Sequence, residues 1–425
     1  MRIDTSKVNL SKVQEFYNVF IKDGFPNKKK EDLKFTDLDK ILNSHFKNLE
    51  PLREKGKHKK EKNLKFEHYP IYTLNGELLD DTFQSGNEKN AESGIFINKI
   101  NNNEDHPIYS EASSDKDREL ISNNSKKDQM LSINLALIDR GINLKITKSY
   151  EKPIVIYNFF DNNLQNKIIN NANQIQIKNS KATIIEYNID KSNSNYFKNT
   201  FQKISLDESN LDYYVINSRE SKALHYSKNI IEINNQKSKK ASKFVNYLFC
   251  SGIKFRKDDY NIILSGKESI AKVYSSAILK NNDHHEIKTK MYHKEPYCNS
   301  YQKIKNILAH NSKGIFQGKV LVSDQAQKTD AYQLSKGLIL DDKAEFNTKP
   351  ELEIYADDVK CSHGSTSGNV DKDAIFYLMT RGLSKKDATK LIIRGFLSDI
   401  TSEIKNKDIY QLIETHLENN LIYEN

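Results

Sequence analysis

KTDAYQLSKGLILDDKAEFNTKPELEIYADDVKCSHGSTSG, residues 328–368, strings strand-length runs between short polar turns. GLILDD and AEFNTKPELEIYA each suit one strand. In the second, Leu352, Ile354 and Ala356 alternate with polar neighbours, as on a half-buried strand. The alternation then stops. Two acids and a lysine lead to Cys361 and His363, and GSTSG, residues 364–368, reads as the turn that takes the chain from strand to helix.

Upstream, the same texture reaches back to about residue 131. INLALI, INLKIT, PIVIYNF, IQIKN, ATIIEYNI, LDYYVIN, ALHYSKN and IEINN follow one another. FVNYLFC, NIILSG, IAKVYSSAIL, HHEIKTKM, KNILAH and GIFQGKVLVS continue the series. Each run is β-branched or aromatic-rich and is bounded by Asn, Ser, Gly, Asp or Lys. No helix-length amphipathic segment interrupts them, which argues against alternating βαβ units. The chain has no Trp, so the Trp-Asp signature of propeller blades is absent. Strand spacing drifts and Asn is frequent at turns, which favours coils stacked into a β-helix. The expected fold is mainly β, with a parallel β-helix core over 129–365. An N-terminal helical region with polar loops (1–128) and a C-terminal helical domain (366–425) flank it.

Val13, Phe16, Tyr17 and Phe20 recur at helical spacing after Ser11, a candidate N-cap, and Gly24 and Pro26 stop that helix. A second helix follows Thr36 and carries Leu38, Ile41 and Leu42. Residues 84–128 are polar and read as loops and poorly ordered turns, with room for one helix. Past residue 371 the period changes to that of helices. Asp371 caps one with Ile375, Phe376, Leu378 and Met379, ended by Gly382. Ser384 with Asp387 starts a second, with Ala388, Leu391, Ile392, Phe396 and Ile400, and Asp408 opens a third. Because a β-helix exposes backbone at its ends, these helices are expected as end caps and as docking surfaces.

Composition narrows the function classes. The 425 residues carry 66 basic and 57 acidic side chains, largely interspersed, for a net charge of +9. The basic runs, Lys28 to Lys30 and Lys55 to Lys62, lack interleaved aromatics and read as solvated faces, so no nucleic-acid partner is expected. Cys250, Cys298 and Cys361 form neither a CxxC pair nor a disulfide framework, which suits a reducing compartment. There is no signal-peptide core and no apolar run of about eighteen residues. A soluble, cytoplasmic protein away from the membrane is expected.

Cys361 and His363 are the sharpest chemical pair. Two positions apart on extended backbone, they leave one face about 6.5–7 Å apart at Cα. Thiolate and imidazole are donors that iron, zinc and iron–sulfur clusters accept, and two donors do not close a tetrahedral site. The plainer readings are a small buried thiol and a hydrogen-bonded bystander imidazole. A Cys–His hydrolase would need an oriented base and an oxyanion hole, and no GxxxxGK[ST] phosphate loop occurs. His284, His285, Glu286 and His293 alternate across a strand that reads as surface. The sequence alone pairs no two carboxylates for glycosidase chemistry.

Residues 328–368, continued by DKDAIFYLMTRGLSKKDATKLIIRGFLSDI at 371–400, resemble the SufB/SufD family of iron–sulfur cluster assembly proteins, on its SufD side. FPNKKKEDLKFTDL, residues 25–38, resembles the family's N-terminal segment, with Leu33 where a Trp is usual. The resemblance implies a right-handed parallel β-helix between helical domains. It also implies a non-catalytic subunit that pairs with a SufB-like subunit and a SufC-like ABC ATPase, served indirectly by a cysteine desulfurase. His363 of the CSHG motif would then face a cysteine of the SufB-like partner, with Cys361 ranked below it. Leu334 stands where the SufB side carries its essential cysteine, so this chain alone should not build a cluster. The implied cargo is a transient iron–sulfur cluster or iron at the interface, with none stably bound by this chain, and flavin binding stays open. Leu391, Ile392, Phe396 and Leu397 read either as helix core or as the surface that meets the ATPase. The alternative class is a β-helix carbohydrate-binding or carbohydrate-active protein, which needs an open groove of aromatics and acids.

Overall fold

Runs rich in Ile, Val, Tyr and Phe, closed by Asn-rich corners, wind into a parallel β-solenoid of about seven turns. The computed structural model describes residues 2–6, 13–28, 34–56, 61, 64–79, 93–110, 119, 123–218, 220–235 and 240–421. Four strands are short: β1 (Arg2–Ile3), β2 (Asn48–Pro51), β4 (Glu77–Leu78) and β5 (Ile95–Lys99). The first sheet contains β6 (Arg140–Ile146), β8 (Lys167–Lys178), β10 (Phe197–Asp207), β12 (Ser221–Asn234), β14 (Ile253–Leu264), β16 (His284–His293), β18 (Lys313–Val322) and β20 (Glu345–Ile354). The second contains β3 (Tyr69–Leu74), β7 (Ile154–Phe160), β9 (Lys181–Asp190), β11 (Asn210–Asn217), β13 (Lys243–Ser251), β15 (Ile270–Leu279), β17 (Asn299–Leu308), β19 (Asp330–Ile339) and β21 (Lys360–Asn369). From β6 onward the chain alternates between sheets, and each strand pairs in parallel with the one two places on. Asn179, Asn281, Asn282 and Asn311 take positive φ at the corners, a conformation whose cost Asn tolerates better than most residues.

From β6 onward, one face of each coil strand points into the lumen. Ile175, Ile204, Ile231, Ile262, Met291 and Val320 stack in register, one per coil, all buried. Each such side chain is worth about 1.5–3 kcal/mol relative to exposure. The other half of the lumen is polar and charged. Glu186, Lys198, Arg256, Asp258 and His285 lie inside it, paired with one another or with buried Tyr and Gln side chains.

Helices cover the outer faces. α1 (Gln14–Asp23), α2 (Leu38–His45) and α3 (Gln129–Leu137) share one apolar cluster with Phe197, Phe201, Leu224, Tyr226 and Phe255 on the first sheet. α4 (Lys372–Thr380) leads into α5 (Lys385–Thr401) and α6 (Lys407–Asn420), which share a cluster with Val155, Ile185, Tyr214, Tyr247 and Tyr274 on the second. The expectation that terminal helices cap the ends is therefore corrected for α5 and α6. They lie along the flank, where their apolar residues pack on the outward aromatics of the second sheet.

Other expectations also shift. INLALI is part of helix α3, capped by Asp128 accepting from the N–H groups of Met130 and Leu131. That helix is buried on every side, and Asn134 meets its polar demand by donating to the carbonyls of Asn171 and Asn199 (3.2 and 2.9 Å). Residues 197–207 carry no obvious apolar run yet form β10, since three of its inward positions are Lys198, Thr200 and Gln202. His285 and Glu286 are buried rather than surface: His285 faces the lumen, while Thr36 of the N-terminal segment bonds from outside to Glu286 and to the half-buried His284. GSTSG is strand, not turn. β21 runs through it to Asn369, across the expected boundary at 365/366. Asp371, Ser384 and Asn406 cap α4, α5 and α6; the last begins one residue before Asp408. Ser11 and Leu33, the lysines at 29–30, 57, 59–60 and 62, and residues 84–92 and 111–118 fall outside the described residues.

Candidate functional site

The solenoid ends on β20 and β21, each the last strand of its sheet. On β21 the N–H groups of Lys360 and Val370 bracket the ladder, donating to Thr329 and Ile339 of the neighbouring coil (2.8 and 3.0 Å). Even-numbered residues therefore serve the ladder to β19. The N–H groups of Cys361, His363, Ser365, Ser367 and Asn369 point out of the free edge. On β20, Glu345 and Tyr355 donate to Ser312 and Val322 (both 3.0 Å), so the even-numbered positions face outward there. One of these is Pro350, which has no N–H to offer. A proline at an outward position blunts an edge without harming the ladder behind it. Between the two terminal strands, only β21 presents an uninterrupted row of donors.

Cys361, His363 and Ser365 stack on Ala331, Gln333 and Ser335, all three lumen-facing and buried. They share that face, but among the described residues no further coil lies above them. His363 is exposed, and Cys361 is half-buried against the end of the apolar core. Burial pushes the Cys361 thiol up; the Ala331 N–H opposes this and the Asp330 charge adds to it. Ligation through Cys361 thus requires removing a proton, whereas an accessible imidazole nitrogen is the readier donor. Among the described residues no three His, Cys, Asp or Glu side chains converge as a metal site. Leu334 takes the opposite parity and lies on the outer face beside Gly364, so it does not look toward His363.

The second part of the candidate surface is helical, and the structure sorts the four C-terminal apolar residues. Leu397 is buried in the cluster under α5. Phe396 is half-buried, its carbonyl and ring both engaged by Lys305. Ile392 is half-buried, and Leu391 is 51% exposed. The sequence places Ile375, Phe376, Leu378 and Met379 on helix α4. Only Ile375 of α4 is buried, while Phe376, Tyr377 and Met379 stand in solvent at 67%, 58% and 41% exposure. The signal was present: a nine-residue helix apolar on several sides has more apolar surface than one packing face can cover.

Among the described residues, no open groove of aromatics runs along the second sheet. Tyr214, Tyr247, Tyr274, Tyr301 and Tyr332 form a ladder with ring centroids 4.5, 5.2, 6.1 and 5.4 Å apart. Helices α5 and α6 share their apolar cluster with its lower rungs, and the Tyr247 hydroxyl donates to the Glu403 carbonyl (3.2 Å).

Comparison with known proteins bears on the same residues. Residues 160–396 match the family described as SUF system FeS cluster assembly, SufBD core domain. The chain is 37% identical over 150 residues to the iron-sulfur cluster assembly protein SufD of Escherichia coli (strain K12), covering 35% of this chain and 36% of that one. It is 46% identical over 109 residues to an iron-sulfur cluster assembly SufBD family protein of Synechocystis sp. (strain ATCC 27184 / PCC 6803 / Kazusa), covering 26% and 24%. With Protein ABCI7, chloroplastic, of Arabidopsis thaliana it shares 31% identity over 168 residues, covering 39% and 35%. These matches span about a third or less of each relative. The family match takes in the coils from the end of β7 through the CSHG strand and into α5, more than half of the chain, so the chain belongs to the SufB/SufD family of iron–sulfur cluster assembly proteins and is SufD-like within it.

Proposed function

We propose that this chain is a scaffold subunit of an iron–sulfur cluster assembly complex. Its open coil end pairs with a SufB-like subunit, its C-terminal helices dock a SufC-like ABC ATPase, and it has no turnover of its own. The observation that carries the reading is the placement of His363. It is solvent-exposed on the terminal strand, next to a free edge with five outward N–H groups. An edge of that kind favours adding a strand from another chain. Such a strand would bring a partner thiolate toward the imidazole and complete a ligand set that Cys361 and His363 leave short. The cluster, or the iron that precedes it, is cargo held between subunits and then passed on. Sulfur reaches it through a cysteine desulfurase acting on the partner. The proposed hand of the solenoid is right, and the proposed compartment is the cytoplasm; among the described residues no helix is long and apolar enough to cross a membrane.

Phe376, Tyr377, Met379 and Leu391 make up the proposed ATPase-facing surface, where strain generated by nucleotide turnover could reach the coil end through α4 and β21. The test is anaerobic co-expression with SufB-like and SufC-like partners, with iron and sulfide quantified in the purified complex. His363→Ala should leave the complex assembled and lower its cluster content several-fold. A complex that loses no cluster, or one that fails to assemble, overturns the role assigned to the imidazole.

A further inference from the structure

Three hydroxyls meet where the solenoid opens. Thr348 on β20 is the register neighbour of Phe316, a lumen residue, and its Oγ1 lies 2.9 Å from the Oγ of Ser335 on β19. Ser335 is 1% exposed and donates to the hydroxyl of its own register neighbour, Ser365 on β21, at 3.1 Å. A serine hydroxyl has a single hydrogen. Ser335 gives its hydrogen to Ser365, so in the other bond Thr348 is the donor. The chain of bonds therefore runs one way, from Thr348 through Ser335 to Ser365, out of the lumen toward the open end. Ser365 is exposed, and among the described residues its own hydrogen has no acceptor. Each hydroxyl polarises the next, which makes the last a stronger donor than an isolated serine.

Ser365 follows His363 by two places on the same face of β21, and no coil covers either among the described residues. On extended backbone their Cα atoms are about 6.5–7 Å apart. A metal ion on the imidazole sits only about 2 Å from its nitrogen. A neutral hydroxyl also competes poorly with thiolate and imidazole for iron. What suits the Ser365 hydrogen is an anionic acceptor carried by that iron and lying farther along the strand. We propose that Ser365 donates a hydrogen bond to a sulfide of the cluster cargo, and that Ser335 and Thr348 strengthen that bond. The proposal rests on the reading that a cluster is held at His363, and it adds a residue that addresses sulfur instead of iron. Hydrogen bonds to cluster sulfurs favour the more negative, reduced state and raise the potential.

The experiment uses the complex co-expressed anaerobically with its SufB-like and SufC-like partners. Wild type, Ser365→Ala, Ser365→Thr and Ser335→Ala are compared. Fading of cluster absorbance in excess iron chelator gives a release rate, and a dithionite titration gives the midpoint potential. Ser365→Ala should release its cluster about three- to ten-fold faster, the range expected for one hydrogen bond, and its potential should fall. Ser365→Thr keeps the hydroxyl and should restore both values, while Ser335→Ala should lie between wild type and Ser365→Ala. The side chain is exposed, so the isolated Ser365→Ala chain should melt in urea as wild type does, which separates loss of the bond from loss of the fold. An unchanged release rate and potential in Ser365→Ala overturn the proposal, and the His363 reading survives that result if His363→Ala still depletes the cluster. A cluster indifferent to His363→Ala overturns both.

Discussion

Removing Glu286 should cost the fold about 3–5 kcal/mol, and the structure says why. The Glu286 carboxylate is fully buried on the outer face of β16, bonded to Lys257, to Thr36 and to Gln317 (2.8 Å). Thr36 also reaches His284 Nε2 at 2.9 Å, so the N-terminal segment closes over the pair. In Glu286→Ala the Lys257 ammonium, 2% exposed, is left without its counter-charge under that segment. An uncompensated buried charge is what makes such a change expensive; the ion pair itself contributes little beyond a well-packed apolar pair. Lys257→Met combined with Glu286→Leu should therefore cost less than half of what Glu286→Ala costs alone. Urea midpoints measure both, and amide exchange over residues 34–46 should rise first in the single variant. The pH dependence has a definite sign. Burial raises the Glu286 carboxyl, but the charge and hydrogen bond of Lys257, with Thr36 and Gln317, outweigh it, and the net shift is downward. A carboxyl with a depressed folded pKa stabilises above its unfolded value, about 4.3, and loses that contribution as pH falls further. The gap between wild type and Glu286→Ala should therefore narrow below about pH 4. A single variant costing under about 1 kcal/mol, or a double variant as unstable as the single, refutes the reasoning.

The remaining predictions are briefer. Leu397→Ala should lower stability by about 2–5 kcal/mol, because the side chain sits in the α5 cluster. Leu391→Ser should stay within about 0.5 kcal/mol of wild type by urea melt and weaken only pull-down of the ATPase partner. Ser367→Pro deletes an outward N–H of β21, so it should lower affinity for the SufB-like partner, read by titration, while the isolated chain melts nearly as before. Stability should peak near neutral pH. Burial holds His106 down at about 3 and His284, His293 and His416 at about 4, so the unfolded chain protonates first and stability falls as pH drops from about 6.5 toward 4. His285, raised to about 9, stabilises fully below about 6.5 and loses that contribution as pH rises to 9. Urea midpoints at pH 5, 7 and 9 test both limbs, and a flat profile contradicts them.

Much of the coil was legible because parallel strands buried on both faces read as apolar runs, and most of the runs named in advance lie on strands. Where reading failed, period was the reason. INLALI is too short to tell buried helix from buried strand, and only the Asp128 cap upstream distinguishes them. β10 escaped notice because its inward side chains near the start are Lys198, Thr200 and Gln202, which signal solvent when their partners are unseen. The site divides the same way. The CSHG stretch put Cys361 and His363 on one face of extended backbone. That the face looks past the last coil, with an outward row of N–H groups beside a strand blunted by Pro350, follows from register.

Local chemistry, then, was set by the sequence itself: strand-forming runs, Asn corners, helix caps at Asp371 and Ser384, and a thiol and imidazole two residues apart. Only the tertiary structure decided what water reaches. Burial depends on which coil or helix lies above a residue, and those neighbours come from about 30 to 250 positions away, as Thr36 over Glu286 and Arg256 beside His285 demonstrate. Strand periodicity assigns a side chain to a face, but it carries no information about whether that face is covered, and the surroundings of Glu286 and His363 depend on the covering.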